Sequence, residues 1–293
     1  MSFVSGPVTV RVPASSANLG PGFDALGLAL TLFDDVTGEV IDGGLAVEVA
    51  GEGSGAVPLD DRNLVVRAMY AAFDLLGERP PGLRLSCANA IPHGRGLGSS
   101  AAAIVGGIVL ARALVDDGAA RLDDMAALQL AGDLEGHPDN VAAALLGGLT
   151  IAWLDGDSIG VERLDSATAV TVFVPPDAVS TKKARGLLPD QVPHRDASHN
   201  AGRAALLVVA MTSAPHRLLA ATDDRLHQSY RSEAMPDSYA LMQALRADAV
   251  PAIISGAGPT VLAFGHGLAG RAPDGWRVLE LGVDSGGARI LAT

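Results

Sequence analysis

Cysteine is nearly absent from this chain of 293 residues, and so is lysine. The single cysteine, Cys87, excludes an intramolecular disulfide framework and any multi-cysteine zinc site, and it suits a reducing compartment. Only two of the 21 basic residues are lysine, the neighbours Lys182 and Lys183. A Walker A loop needs a Gly-Lys pair and the protein-kinase signature needs a strand lysine, so neither can be assembled. Aromatic residues make up 4%, which leaves the core to Ala, Val, Leu and Ile. Positive charge is in deficit, with a formal net charge of −12. That balance argues against non-specific nucleic-acid or anionic-membrane binding, while a locally positive site remains open to a small anion. No basic segment precedes an apolar one at the N-terminus. The longest apolar stretches, residues 101–111 and 141–154, are shorter than the ~18 residues of a membrane span. The expectation is a cytoplasmic protein with neither a nucleic-acid nor a membrane partner.

Hydrophobic residues are plentiful at 48% and glycine numbers 35, a globular composition with unusual turn content. The length predicts two domains and a core that needs no staple. Strand-like patterning covers residues 8–12, 26–40, 45–49 and 83–87. Residues 13–23, PASSANLGPGF, read as a polar loop. Asn63 caps an apolar-periodic helix that Gly77 ends. Further helices are predicted over residues 99–115, from Asp123 or Asp124 to about Gly136, and from Pro138 to Leu146. The second half predicts strands at 149–154, 159–164, 170–174, 252–255, 260–265 and 277–283. Its helices are predicted at 199–211, 215–222 and 239–247, and Lys182, Lys183 and Arg185 fall in a charged loop. Strands come in pairs as often as they alternate with helices, which favours α+β over a doubly wound parallel sheet.

Residues 92–102 read PHGRGLGSSAA. Gly94, Gly96 and Gly98 free the backbone to turn and to approach a ligand, and helix formers follow at once. Backbone N–H groups and a helix N-terminus therefore meet in one place, an arrangement that attracts phosphate. A helix dipole supplies only roughly 0.3–1 kcal/mol, so Ser99, Ser100 and a metal must share the task of holding a triphosphate. From glycine spacing alone the segment is equally a turn before a tightly packed helix. It does not match G-x-G-x-x-G, because its glycines fall at alternate positions. Downstream, Glu135 ends one helix, with His137, Asp139 and Asn140 just after it. Glu135 as a carboxylate and Ser99 as a hydroxyl would meet the needs of a phosphate-bound Mg2+. Alone, Glu135 is equally a solvated helix-end charge.

PHGRGLGSSAA resembles the phosphate loop of the GHMP small-molecule kinases. VPASSANLGPGFDALGLAL, EGHPDNVAAALLGG, STKKARGLLP and LHQSYR resemble, in order, segments of the homoserine-phosphorylating branch of that family, and SGAGPT, residues 255–260, resembles the third motif of the family as a whole. Two positions depart from it, Ala143 and Ser229, where relatives frequently carry proline. The resemblance implies a two-domain fold. Residues 1–164 would form a ribosomal-protein-S5-like nucleotide-binding domain, and residues 165–293 a ferredoxin-like α/β sandwich domain. It implies ATP and Mg2+ as cofactors, L-homoserine as the acceptor in a step toward threonine, and a homodimer. It implies nucleotide contacts from Asn63 and from Pro92, His93, Gly94, Arg95, Gly96, Leu97, Gly98, Ser99, Ser100, Ala101 and Ala102. Ser99 and Glu135 would hold the metal. Asn18, Asp24, His137, Asp139, Asn140, Arg185 and Arg231 would line the acceptor pocket. Arg231 is expected on the acceptor carboxylate, Arg185 on acceptor and γ-phosphate together, and Asn140 in place of a general base. Two other readings stay open at this point: a relative acting on another small alcohol, and a non-catalytic sensor of ATP or an amino acid.

Overall fold

The capping residues set the helix ends in the computed structural model, which describes residues 2–292. Helix α1 (Leu64–Leu76) starts where the Asn63 Oδ1 accepts the Val65 N–H at 3.0 Å, and it stops at Gly77 in a left-handed conformation. Helices α2 (Ser99–Ala113), α3 (Gly118–Arg121), α4 (Asp124–Glu135) and α5 (Pro138–Leu146) follow. The Asp123 carboxylate caps α4, and Pro138 opens α5 at its first turn. Of these, α2, α4 and α5 pack on a seven-stranded sheet, with α1 and α3 packed on α2; the sheet is built from β1 (Val8–Ala17), β2 (Leu26–Ile41), β3 (Gly44–Gly51), β4 (Gly82–Asn89), β5 (Leu149–Asp155), β6 (Ser158–Leu164) and the terminal β11 (Arg289–Ile290). The order is β11-β1-β2-β4-β3. The long β2 divides its pairing: residues 35–41 meet β4, and residues 26–28 meet β5, which carries β6. Among the described residues only β3 and β4 of this sheet pair in parallel.

A second, wholly antiparallel sheet has the order β10-β7-β9-β8, from β7 (Val170–Val174), β8 (Ala252–Ile254), β9 (Val261–Phe264) and β10 (Arg277–Leu281). The short helix α6 (Thr181–Arg185), then α7 (His194–Thr212), α8 (Leu218–Ala221) and α9 (Pro236–Ala247), complete the chain. α9 packs on β8 and β9. The mixed architecture is α+β, as the patterning predicts. Among the described residues no helix is long and apolar enough to cross a membrane.

Three local readings need correction. Residues 13–17 are not a loop: β1 runs to Ala17 after a register shift between Pro13 and Ala14. Ser15 and Ser16 are fully buried there, because neighbouring polar groups satisfy their hydroxyls. Lys182, Lys183 and Arg185 lie in α6, whose first turn is capped by the Ser180 hydroxyl. β11 went unseen because two residues carry no period, and only long-range pairing with β1 defines it.

Candidate active site

The loop between β4 and α2 is fastened on three sides. The Leu97 carbonyl accepts the Ser15 N–H at 3.1 Å, the Gly96 carbonyl accepts the Ser255 hydroxyl at 2.6 Å, and the Arg95 carbonyl accepts the Thr260 N–H at 3.3 Å. Gly94, Gly96 and Gly98 all have positive φ, at 64°, 76° and 72°. A Cβ at Gly96 would collide with the Ser255 carbonyl oxygen, and one at Gly98 with the Ser15 hydroxyl. Close approach as well as turn-making thus demands glycine at 96 and 98. Gly98 begins α2 without any side-chain cap, and no acidic residue occupies the first turn. The N-terminal N–H groups of this helix are left available to an anion.

The loop forms one wall of a cavity of about 420 Å3. At one end the lining is apolar, from Val36, Val49, Val57, Pro58, Val65 and Cys87, with Asp34, Asn63 and Asn89 among them. Both polar atoms of the Asn63 amide are already engaged, Oδ1 with Val65 N–H and Nδ2 with the Pro58 carbonyl. Asp34 was not picked out from the sequence, although an acid inside the apolar run of β2 was a signal. Its Oδ1 accepts the Ala90 and Ile91 N–H groups at 2.7 and 2.9 Å. Burial nevertheless pushes its carboxyl up to about 6, against the pull of those two bonds. Burial likewise pushes the Cys87 thiol up to about 12, so it is no nucleophile at neutral pH.

At the middle of the cavity stand Ser99, Ser100 and Glu135. The hydroxyl that reaches Glu135 belongs to Ser100, which donates to Oε2 at 2.7 Å, rather than to Ser99. Burial raises the Glu135 carboxyl above the ordinary range, and the Ser100 bond opposes this. Among the described residues no three His, Cys, Asp or Glu side chains converge as a self-sufficient metal cage. One carboxylate and a hydroxyl fit a cation that takes its remaining ligands from phosphate and water. The Ser15 hydroxyl donates to Asn140 Oδ1 at 2.9 Å. This turns the Asn140 amide and leaves Nδ2 with only a long 3.5 Å contact to Asp139.

The other end is cationic and acidic together. Arg185 pairs with Asp24 through both terminal nitrogens, at 2.6 and 3.2 Å. Arg231 is 2% exposed, and among the described residues the one hydrogen bond of its guanidinium is a 3.3 Å contact with His227 Nδ1. The Nε atoms of both arginines are buried and unpartnered. Burial, reinforced by Arg185, lowers the Arg231 guanidinium to about 10. Phe23 holds this group together: both guanidinium groups lie over its ring, at 5.7 and 5.2 Å to the centroid, and His227 stacks on it at 5.1 Å. Phe23 and His227 were missed as site residues, although each sits inside a motif quoted above and His227 lies four residues before Arg231. Burial keeps both His227 and His137 below the usual imidazole range, and Arg185 adds to this at His137. Asp139, 3% exposed, is pushed up to about 7 by burial.

The structure therefore gathers into one cavity Asn18, Asn63, His137, Asp139, Asn140, Arg185, Arg231, Glu135 and the loop residues Pro92–Ser100. Two expected members differ. Ala101 is fully buried in the core below the loop, since the first turn of α2 faces the sheet at that position. Asp24 is not itself among the lining residues and meets the cavity through its pair with Arg185. Asn18 has φ of 66°, and its amide ties two loops together, with Nδ2 donating to the Gly256 carbonyl and Oδ1 accepting the Asp24 N–H, both at 2.9 Å.

Residues 63–148 match the family described as GHMP kinases N terminal domain. A homoserine kinase of Streptomyces avermitilis is 57% identical over 297 aligned residues, spanning 99% of this chain and 97% of the relative. The homoserine kinase of Streptomyces coelicolor is 56% identical, spanning 99% and 96%. The crystal structure of homoserine kinase from Cytophaga hutchinsonii superposes with a TM-score of 0.84 at 25% identity, covering 99% of this chain and 100% of the other.

Proposed function

The chain belongs to the homoserine kinase family of the GHMP kinases, and we propose how its cleft serves that activity. It transfers a phosphoryl group from ATP to the side-chain hydroxyl of L-homoserine, giving O-phospho-L-homoserine for threonine biosynthesis. In our reading, residues 1–164 supply the nucleotide side and residues 165–293 the segments that close the acceptor side. The nucleoside lies against the apolar end near Asn63. The phosphates lie over the N–H groups of residues 94–100.

One observation carries the acceptor assignment. Arg231 is a buried guanidinium to which no carboxylate among the described residues is hydrogen-bonded, open to the same cavity as the phosphate loop. A planar carboxylate is the natural partner for such a fork. Arg231 takes the homoserine carboxylate, Arg185 shares it and faces the phosphates, and Asp24 and Asp139 supply the negative field for the ammonium. Asn140 Nδ2, aimed by Ser15, positions the acceptor hydroxyl. In a loose, metaphosphate-like transition state that oxygen needs placement more than deprotonation. Glu135 and the Ser99 hydroxyl would hold Mg2+, with Ser100 steadying the carboxylate. The ion would neutralise phosphate charge.

The test is ADP release with Mg-ATP against homoserine, serine, threonine, mevalonate and galactose, each with an acceptor-free control. Homoserine-dependent turnover far above the rest is the expected result. Turnover with galactose instead would sink the Arg231 assignment, because galactose has no carboxylate, and turnover with mevalonate, which has a carboxylate but no ammonium, would sink the roles given to Asp24 and Asp139.

A further inference from the structure

The phosphate loop and the acceptor arm are separate in sequence, and one side chain joins them. The connector between β7 and α6, residues 175–180, delivers Thr181 and Arg185 to the cavity. It begins with Pro175 and Pro176, which have no N–H to give, so their carbonyls are the groups available for fastening it. Both are taken by Arg95. Its Nε donates to the Pro175 carbonyl at 3.1 Å, one terminal nitrogen donates to the Pro176 carbonyl, and the other reaches back to the His93 carbonyl at 2.9 Å. Beside this fork the Val179 N–H donates to the Gly94 carbonyl at 3.2 Å. A Cβ at Gly94 would stand 3.3 Å from that of Ala178, so the two segments are already in near contact.

No carboxylate pairs with Arg95 among the described ion pairs. Its fork is spent on main-chain carbonyls alone, two on the arm and one on the loop. A planar, five-donor guanidinium can span such a seam, whereas a lysine ammonium is a point donor. We propose that Arg95 is a positioning residue that couples nucleotide binding at the phosphate loop to acceptor binding at Arg185. The inference rests on the placement of nucleotide and acceptor given above.

The coupling works through backbone already on the page. A phosphate seated on the N–H groups of residues 94–100 fixes the His93 and Gly94 carbonyls and the Arg95 backbone. Arg95 then fixes residues 175 and 176, and Val179 is fixed by Gly94. α6 follows within two residues, and its last residue, Arg185, is held in the fork with Asp24 that faces the acceptor. Linkage makes the effect reciprocal: homoserine must strengthen nucleotide binding by the same factor.

Calorimetric titration tests this on the intact protein. L-Homoserine is titrated with and without saturating Mg2+ and a non-hydrolysable ATP analogue, for the wild type, Arg95→Met and Arg95→Lys. The wild type is expected to bind homoserine at least about fivefold more tightly with the analogue present, the lower end of typical coupling between sites. In Arg95→Met the ratio falls below about twofold, and Arg95→Lys lies between. The ratio is read independently of whatever the substitution does to nucleotide affinity itself. A wild-type ratio near one, or a ratio retained in Arg95→Met, overturns the proposal. If Arg95→Met does not fold, Arg95→Lys decides by the same ratio. Absence of wild-type binding to either ligand alone and to both together would instead refute the cleft assignment on which the coupling rests.

Discussion

A guanidinium that is 2% exposed and lacks a carboxylate partner is a cost to the free protein. Arg231 is therefore explained by what it binds, not by what it stabilises. Replacing it with methionine, which keeps an apolar stem and removes the buried charge, should leave the melting temperature of the ligand-free enzyme unchanged or raised. The same change removes a charged hydrogen-bond donor worth about 1.5–3 kcal/mol, so the KM for homoserine should rise at least about tenfold. Steady-state kinetics with a thermal melt on the same sample checks both halves. An effect on the ATP KM alone would refute the carboxylate assignment. Asp34 makes a different prediction. Its carboxyl titrates at about 6 in the fold against 3.8 unperturbed, so the folded state holds the proton more tightly than the unfolded chain does. That contribution is fully present below the unfolded value and is lost as pH rises through 6. Asp34→Asn keeps an oxygen for the Ala90 and Ile91 N–H groups and has no charge to bury. Its stability advantage over the wild type should grow between pH 4 and pH 8, by up to about 3 kcal/mol. Urea titrations of both proteins at those two pH values measure the gap, and a constant gap would show that the carboxylate is not desolvated.

The phosphate loop exists as an element because β1, the residue 255–260 turn and α2 close on it from three sides. Gly96→Ala asks for a positive φ in a residue with a Cβ and for the Ser255 carbonyl to move, together a strain on the order of 1–3 kcal/mol. The expected result is a lower melting temperature together with weaker nucleotide binding, because the displaced carbonyl belongs to the same clamp. Intact nucleotide affinity would mean that the loop does not carry the phosphates. What could be read in advance follows the range of the interactions. The ends of α1, α4 and α5 were legible, since Asn63, Asp123 and Pro138 act on their own first turns. The burial of residues 13–17 was not, because Ser15 and Ser16 look like loop residues until Asn140 and Ser255 arrive from more than a hundred positions away. The site shows the same division. Phe23, His227 and Ser100 stand in motifs as Glu135, Arg185 and Arg231 do, but which side chain each of them supports is a matter of tertiary contact.

At the scale of the whole molecule the two sheets are not independent bodies. One continuous core runs from Val10, Leu28 and Val105 of the first half to Val172, Leu207 and Leu262 of the second, and only α9 and its neighbours add a smaller cluster of their own. The chain end reinforces this. After β10 completes the second sheet, the Asp284 N–H bonds the Ala29 carbonyl, the Asp284 carbonyl accepts the Gly148 N–H, and β11 pairs with β1. An interface of this kind favours one cooperative transition over two. The sequence offers two natural reporters, since its only tryptophans are Trp153 on β5 and Trp276 beside β10. Trp276→Phe leaves the first sheet visible by fluorescence, and Trp153→Phe leaves the second. Denaturant midpoints from the two variants should coincide with each other and with the far-ultraviolet circular dichroism of each. Adding Mg2+, the ATP analogue and homoserine should move both midpoints upward together, because the cleft draws its walls from both halves and ligand binding stabilises only the assembled state. Separated midpoints, or a ligand shift confined to the Trp153 reporter, would mean that the halves unfold independently and that the acceptor arm contributes no binding energy.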